Sequence, residues 1–146
     1  MNQKAEIIGV QSSHIGSDTA TTNMGFMAPL PAVRQLMQAG GDVQVPTLDV
    51  CFGSQLSQST GFLKRFPKDV FGVVVHDVYK RGAAAKAGLK NESLITHCNG
   101  EPVAFIWDLQ DRVRAAKVGD VVTLTVMAPD THQISTLDVK LEAIEW

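Results

Sequence analysis

Long apolar runs are missing from this chain: the longest, Val103 to Trp107, is five residues, far short of the roughly 20 that a membrane-spanning helix needs. The opening stretch MNQKAEIIGV contains no apolar h-region, so no signal peptide is read there. An excess of charge of either sign is missing too. Thirteen Lys and Arg against 15 Asp and Glu give a formal net charge of -2, with a pI near 6.0. A general electrostatic footprint for DNA or RNA is therefore absent. The tightest basic group, Lys64, Arg65 and Lys68, reads as a solvated loop ahead of a phosphate site. Cysteine is scarce as well. Cys51 and Cys98 are far apart, in strand-like contexts where a buried free thiol is the expected state. A disulfide between them stays open at this level. The four histidines, His14, His76, His97 and His132, show none of the helix-face pairing of a metal site. No metal or other cofactor is expected. His76 and His97 fall in strands as structural histidines, and His14 and His132 fall in loops.

What remains is ordinary globular material: 146 residues, 45% hydrophobic and 19% charged, enough for one domain or for one domain plus a fragment. AEIIGVQSS reads as a short strand with Ile7, Ile8 and Val10, followed by the polar loop SSHIGSDTATTN. MGFMAPL is a second strand. Pro31 can serve as the first helical residue; Val33, Leu36 and Met37 follow at helical spacing, and Gly40-Gly41 supply a left-handed stop. Two strands and a helix are too few to enclose a core.

Further on, VPTLDVCF reads as a strand introduced by Pro46, and GSQLSQSTGFLKRFPKD as a loop anchored by Phe62, Leu63 and Phe66. FGVVVHDV is a buried strand, GAAAKAGL a small-residue helix stopped by Gly88, and SLITHCNG a strand ending in an Asn-Gly turn. In PVAFIWDLQDRVRAAKVG, Leu109, Val113 and Ala116 share one helix face, Trp107 at its start reads as a staple onto the sheet ahead of an exposed contact residue, and Gly119 closes it. DVVTLTVMA and STLDVKLEAI alternate as partners across the turn PDTHQ. No internal repeat appears.

The run Phe71 to Ile144, carried by GVVVHDVYKRGAAAKAGLKNESLITHCNGEPV and DLQDRVRAAKVGDVVTLTV, resembles a PDZ domain of the bacterial type attached to serine proteases. The opening segments, with GFMAP at Gly25 to Pro29, resemble the end of a trypsin-like protease domain of the HtrA/Deg group. The resemblance implies an α+β architecture: a PDZ-like, partly open β-barrel or sandwich with two helices over residues 45–146, preceded over residues 1–44 by terminal strands and a helix of a trypsin-like β-barrel. It also implies proteolysis and protein quality control as the parent's setting, and a periplasmic or extracytoplasmic location. The Gly-x-Ser-Gly-Gly nucleophile motif of that group occurs nowhere in the chain, so no catalytic residue is assigned. Ser12, Ser13 and Ser17 read as polar loop residues outside any glycine elbow. Whether the chain counts as an enzyme rests on its parent.

A PDZ domain takes an extended peptide onto a sheet edge beside its long helix, with backbone amides capturing the terminal carboxylate. By the resemblance, that carboxylate loop falls on Thr47, Leu48, Asp49 and Val50. The groove wall is Val50 and Phe52 on the strand with Leu109, Gln110 and Val113 on the helix, though Leu109 and Val113 fit a core position equally well. Thr47 and Asp49 depart from the family pattern. Asp49 stands where glycine is usual, and its charge would repel a ligand carboxylate by about 1 kcal/mol at 4 Å in water. Glu92 and Ser93 likewise replace a usual Gly-Asp. The expected partners are peptide or unfolded-protein segments, C-termini among them, with no nucleic acid and no membrane span. Binding of internal segments and a spacer or assembly role stay open, as does homo-oligomer formation through the edges of the N-terminal strands.

Overall fold

The computed structural model describes residues 9–15, 24–40 and 44–144. The chain divides into two compact units, Met1–Val43 and Gln44–Trp146. In the first, strand β1 (Gly9–Ile15) pairs antiparallel with β2 (Met24–Pro29), with a register irregularity between Gln11 and Ser13. Helix α1 (Leu30–Ala39) follows β2 directly. Pro31 is its second residue, still in the turn whose N–H groups have no intrahelical acceptor. Gly40, at φ +63°, supplies the left-handed stop. Two expectations shift here. His14 belongs to β1, opposite Gly25, because pairing continues through the polar SSHI stretch. Of the apolar helix set only Val33 is half-buried, while Leu36 and Met37 are 55% and 77% exposed. Ile7, Ile8, Ser17 and Gly41 lie outside the described residues.

The second unit runs β3 (Pro46–Thr47), β4 (Val50–Ser54), a 3-10 turn (Gln55–Ser57), α2 (Thr60–Leu63), β5 (Val73–Val78), α3 (Ala83–Lys86), β6 (Leu94–Cys98), β7 (Glu101–Pro102), α4 (Ile106–Ala115), β8 (Val121–Met127), β9 (Ile134–Lys140) and β10 (Glu142–Ala143). Its main sheet is antiparallel in the order β4-β5-β6-β8-β9, with β7 on β6. A separate small ladder joins β3 to β10. This open sheet with few helices is the α+β architecture that the resemblance implies. The loop after β4 departs from expectation: its Ser-rich stretch forms the 3-10 turn and α2, capped by Ser54 on Leu56 N–H and by Ser59 on Phe62 N–H.

Alternation along the strands builds two cores. Val73 and Val75 face the larger one, with Ile95, Val122, Leu124 and Val126, and α3 and α4 cover it through Ala83, Ala84, Leu109 and Val113. Val74, Leu94 and Met127 face the other way, against Phe66, with Phe62 and Val70 at the margin. The Asn-Gly turn after β6 is left-handed at both residues, Asn99 at φ 52° and Gly100 at φ 80°. Asn99 also locks it to β8, donating its N–H to Thr123 O at 2.7 Å and accepting Thr123 N–H on Oδ1 at 2.9 Å. Leu94→Ala is expected to cost about 2–5 kcal/mol in urea unfolding. Leu56→Ala, at a position 78% exposed, should change the unfolding free energy by less than about 0.5 kcal/mol.

Candidate functional site

An edge strand is the raw material of the site. β4 ends the main sheet, pairing with β5 alone, and α4 lies beside it and beside β3 of the separate small ladder. Such an edge presents backbone N–H and C=O groups to an incoming strand. Val50 and Phe52 are half-buried and pack on the larger core. Across from them, Gln110 is exposed, whereas Leu109 is fully buried and Val113 nearly so. Of the helix residues expected on the groove wall, Leu109 and Val113 are thus core members that hold α4 in place. Leu48 is buried too, and Thr47 and Asp49 are half-buried.

The strand does not run straight into this edge. Asp49 adopts φ +57°, the left-handed backbone region that glycine would fill without strain, and that Asp tolerates better than most residues. Its N–H donates to Thr47 Oγ1 at 3.0 Å, and its carbonyl accepts Tyr79 N–H at 3.1 Å. Leu48 O accepts Ala84 N–H at 3.1 Å, and the Asp49 carboxylate accepts Ala83 N–H at 3.2 Å. The carboxylate therefore serves the first turn of α3. It also shares one concavity of about 870 Å³ with Arg81 and Lys86. Lys86 there is already paired with Glu142, which lines the same concavity. Gly82 closes the arrangement, since a Cβ there would stand 2.2 Å from the Asp49 Cβ.

This contact gives a thermodynamic cycle. Gly82→Ala should destabilise the fold by about 1–3 kcal/mol through overpacking, and Asp49→Gly should relieve much of that. The coupling expected from urea unfolding of the single and double variants is about 1 kcal/mol or more.

Cys51 corrects the expectation of two buried thiols: both cysteines are free, but Cys51 is exposed on the edge strand while Cys98 is buried. Burial pushes the Cys98 thiol above its ordinary range; Arg112 opposes that and Glu101 adds to it. Arg112 donates to Cys98 O at 3.0 Å and pairs with Glu101 at 2.6 Å. Iodoacetamide at pH 8 should therefore label Cys51 on the folded protein and leave Cys98 for the unfolded one, as mass spectrometry of the two peptides would show.

The serines and histidines among the described residues are spread over separate elements. Among the described residues no cluster of His, Cys, Asp and Glu could hold a metal ion. Ser12 and Ser13 sit in β1 as extended strand residues. His76 Nε2 lies 3.3 Å from Gln58 Nε2, and His97 Nδ1 lies 3.0 Å from Thr96 Oγ1. His132 Nε2 lies 3.1 Å from Arg65 O. Arg65 is taken out of the candidate phosphate group by Asp130 and Glu92, each within 3.0 Å. Those hydrogen bonds, to Asp130 first, hold its guanidinium above the ordinary range. Trp107 stacks on Phe105 at 4.5 Å between centroids and remains exposed, so its packing is local. What the sequence reading missed is the concavity beyond Ser54, where Leu56, Leu63, Phe71 and Phe105 meet. These four belong to no single periodic face, so no pattern connects them.

The PDZ-domain family model matches residues 47–141. Among curated proteins, the Do-like serine protease HtrA of Lactococcus lactis subsp. lactis (strain IL1403) is 30% identical over 151 residues, covering 97% of this chain and 36% of that protein. The periplasmic serine endoprotease DegP of Escherichia coli (strain K12) is 28% identical over 130 residues, covering 87% of this chain and 27% of that protein. The chain thus spans about a quarter to a third of the length of these relatives. Among solved structures, the HtrA-type protease AlgW with a decapeptide superposes at a TM-score of 0.72 with 19% identity, covering 96% of this chain and 43% of that one. AlgW with a tripeptide gives 0.71 at 20% identity, with 96% and 46% covered. At that identity the likeness is one of fold.

Proposed function

The chain belongs to the PDZ-domain family, and from that premise we propose that it is the peptide-binding module of an HtrA-type serine protease, used in substrate recognition or regulation. The carrying observation is the edge strand β4, paired on one side only and flanked by α4. A peptide added along Val50 to Ser54 gains main-chain hydrogen bonds, while half-buried Val50 and Phe52 offer apolar contact. Asp49 takes the left-handed conformation that the glycine usual at this place in the family would adopt without strain. Thr47 Oγ1 accepts Asp49 N–H and keeps its own hydrogen available to donate to a carboxylate.

Residues 1–44 are then the end of a trypsin-like protease domain, and the matched length in the Lactococcus relative, which runs through both units, supports that assignment. Exposed Leu36 and Met37 on α1 suit a segment that packs on more of a barrel. On this reading catalysis belongs to the parent, in an extracytoplasmic setting like that of the periplasmic relatives.

Cys51 supplies the test, because it lies on the strand that the peptide would cover. Selected peptides with free C-termini should slow its alkylation and bind at least several-fold more tightly than their amidated forms. Equal binding of both forms would point to internal segments, and no protection by either would leave a spacer or assembly role.

A further inference from the structure

Beyond Ser54, between the 3-10 turn, α2 and the residues that enter α4, lies a concavity of about 680 Å³. Leu56, Leu63, Phe71 and Phe105 give it an apolar lining, and Lys64 and Lys68 stand at it. Leu56, Phe71 and Phe105 are exposed, an uncommon grouping of large apolar side chains on one surface of a small domain. Unlike Arg65, Lys64 and Lys68 have no carboxylate partner among the described residues. The two elements that flank the edge slot also reach this concavity: Ser54 is the last residue of β4 and Phe105 is the N-cap of α4.

We propose that this concavity is a second subsite of the same groove, which takes an apolar side chain, flanked by acidic residues, from the upstream part of the bound peptide. The inference rests on the peptide-binding reading above. A peptide whose carboxylate sits at the Thr47–Val50 loop must run antiparallel to β4, its earlier residues moving toward Ser54. At about 3.4 Å per residue, the residues about five to seven positions before the terminus reach the concavity. Aromatic and aliphatic side chains match Phe71 and Phe105, and Asp or Glu on either side matches Lys64 and Lys68. The occupant is therefore a longer, acidic-hydrophobic segment, and a three-residue terminus alone leaves the subsite empty.

A random ten-residue library with free carboxyl ends, selected on the whole chain, tests this. Expected is a terminal preference together with enrichment of Phe, Leu or Trp near Asp or Glu at about five to seven positions from the end. Removing the upstream half of a selected peptide should weaken binding about 5- to 10-fold. The same truncation should cost little in Phe71→Ser or in the double variant Lys64→Glu/Lys68→Glu, all at exposed or loop positions where the fold is insensitive. Enrichment confined to the last three or four positions overturns the subsite and leaves the groove reading intact. So does a truncation loss that is unchanged in the variants. Enrichment at no position overturns both readings.

Discussion

The left-handed turn at Asp49 converts one extended segment into two strands with different partners. Before it, β3 pairs with β10; after it, β4 joins the main sheet through β5. The hydrogen bonds at the turn reach α3 through Ala83 and Ala84, and the end of β5 through Tyr79. The break between β3 and β4 and the form of the loop ahead of β4 both follow from that single backbone excursion. A residue of the wrong conformation at Asp49 would carry β3 straight on and leave β4 out of register. The carboxylate compensates for having a Cβ at a glycine-like position by hydrogen-bonding the small helix that packs on it. The missing Cβ of Gly82 makes the necessary room.

The same exchange recurs at Glu92, the other position where the resemblance leads one to expect glycine. Glu92 adopts φ +63°, and its carboxylate pairs with Arg65. Arg65 also grips Asp130, itself at φ +63° in the β8–β9 turn, and lies 5.7 Å from the Phe62 ring centroid. Exposed ion pairs of this kind contribute little individually. Their geometric effect is larger, because three segments distant in sequence converge on one guanidinium. That convergence holds the α2 segment, and with it Phe62 and Phe66, on the second core.

Much of the sheet was legible in the sequence because its signals are local. The valine run at 73–75, the alternation of Val122, Leu124 and Val126, the Asn-Gly pair and the apolar spacing of Leu109 and Val113 each encode their element without reference to the others. The site was less legible. VPTLDVCF reads as one strand because Asp carries no turn signature comparable to glycine, and the break at Leu48–Asp49 depends on hydrogen bonds from residues more than 30 positions away. Leu109 reads as groove or core with equal ease, and only the tertiary position of α4 assigns it to the core. Cys51 was expected to be buried because its neighbours are apolar, yet an edge strand leaves one of its faces to solvent. The apolar concavity past Ser54 draws on four separate segments and has no periodicity to betray it.

The main sheet has two ends, β4 and β9, and they differ in what they permit. An unflanked edge that accepts one strand presents a fresh edge to the next, which is how sheets grow into polymers. β4 has α4 standing beside it. A strand inserted there would have the sheet on one side and the helix on the other, so its outer hydrogen-bonding groups would meet a wall. The helix would therefore make the slot self-terminating, because a strand added at β4 would leave no free edge for a second.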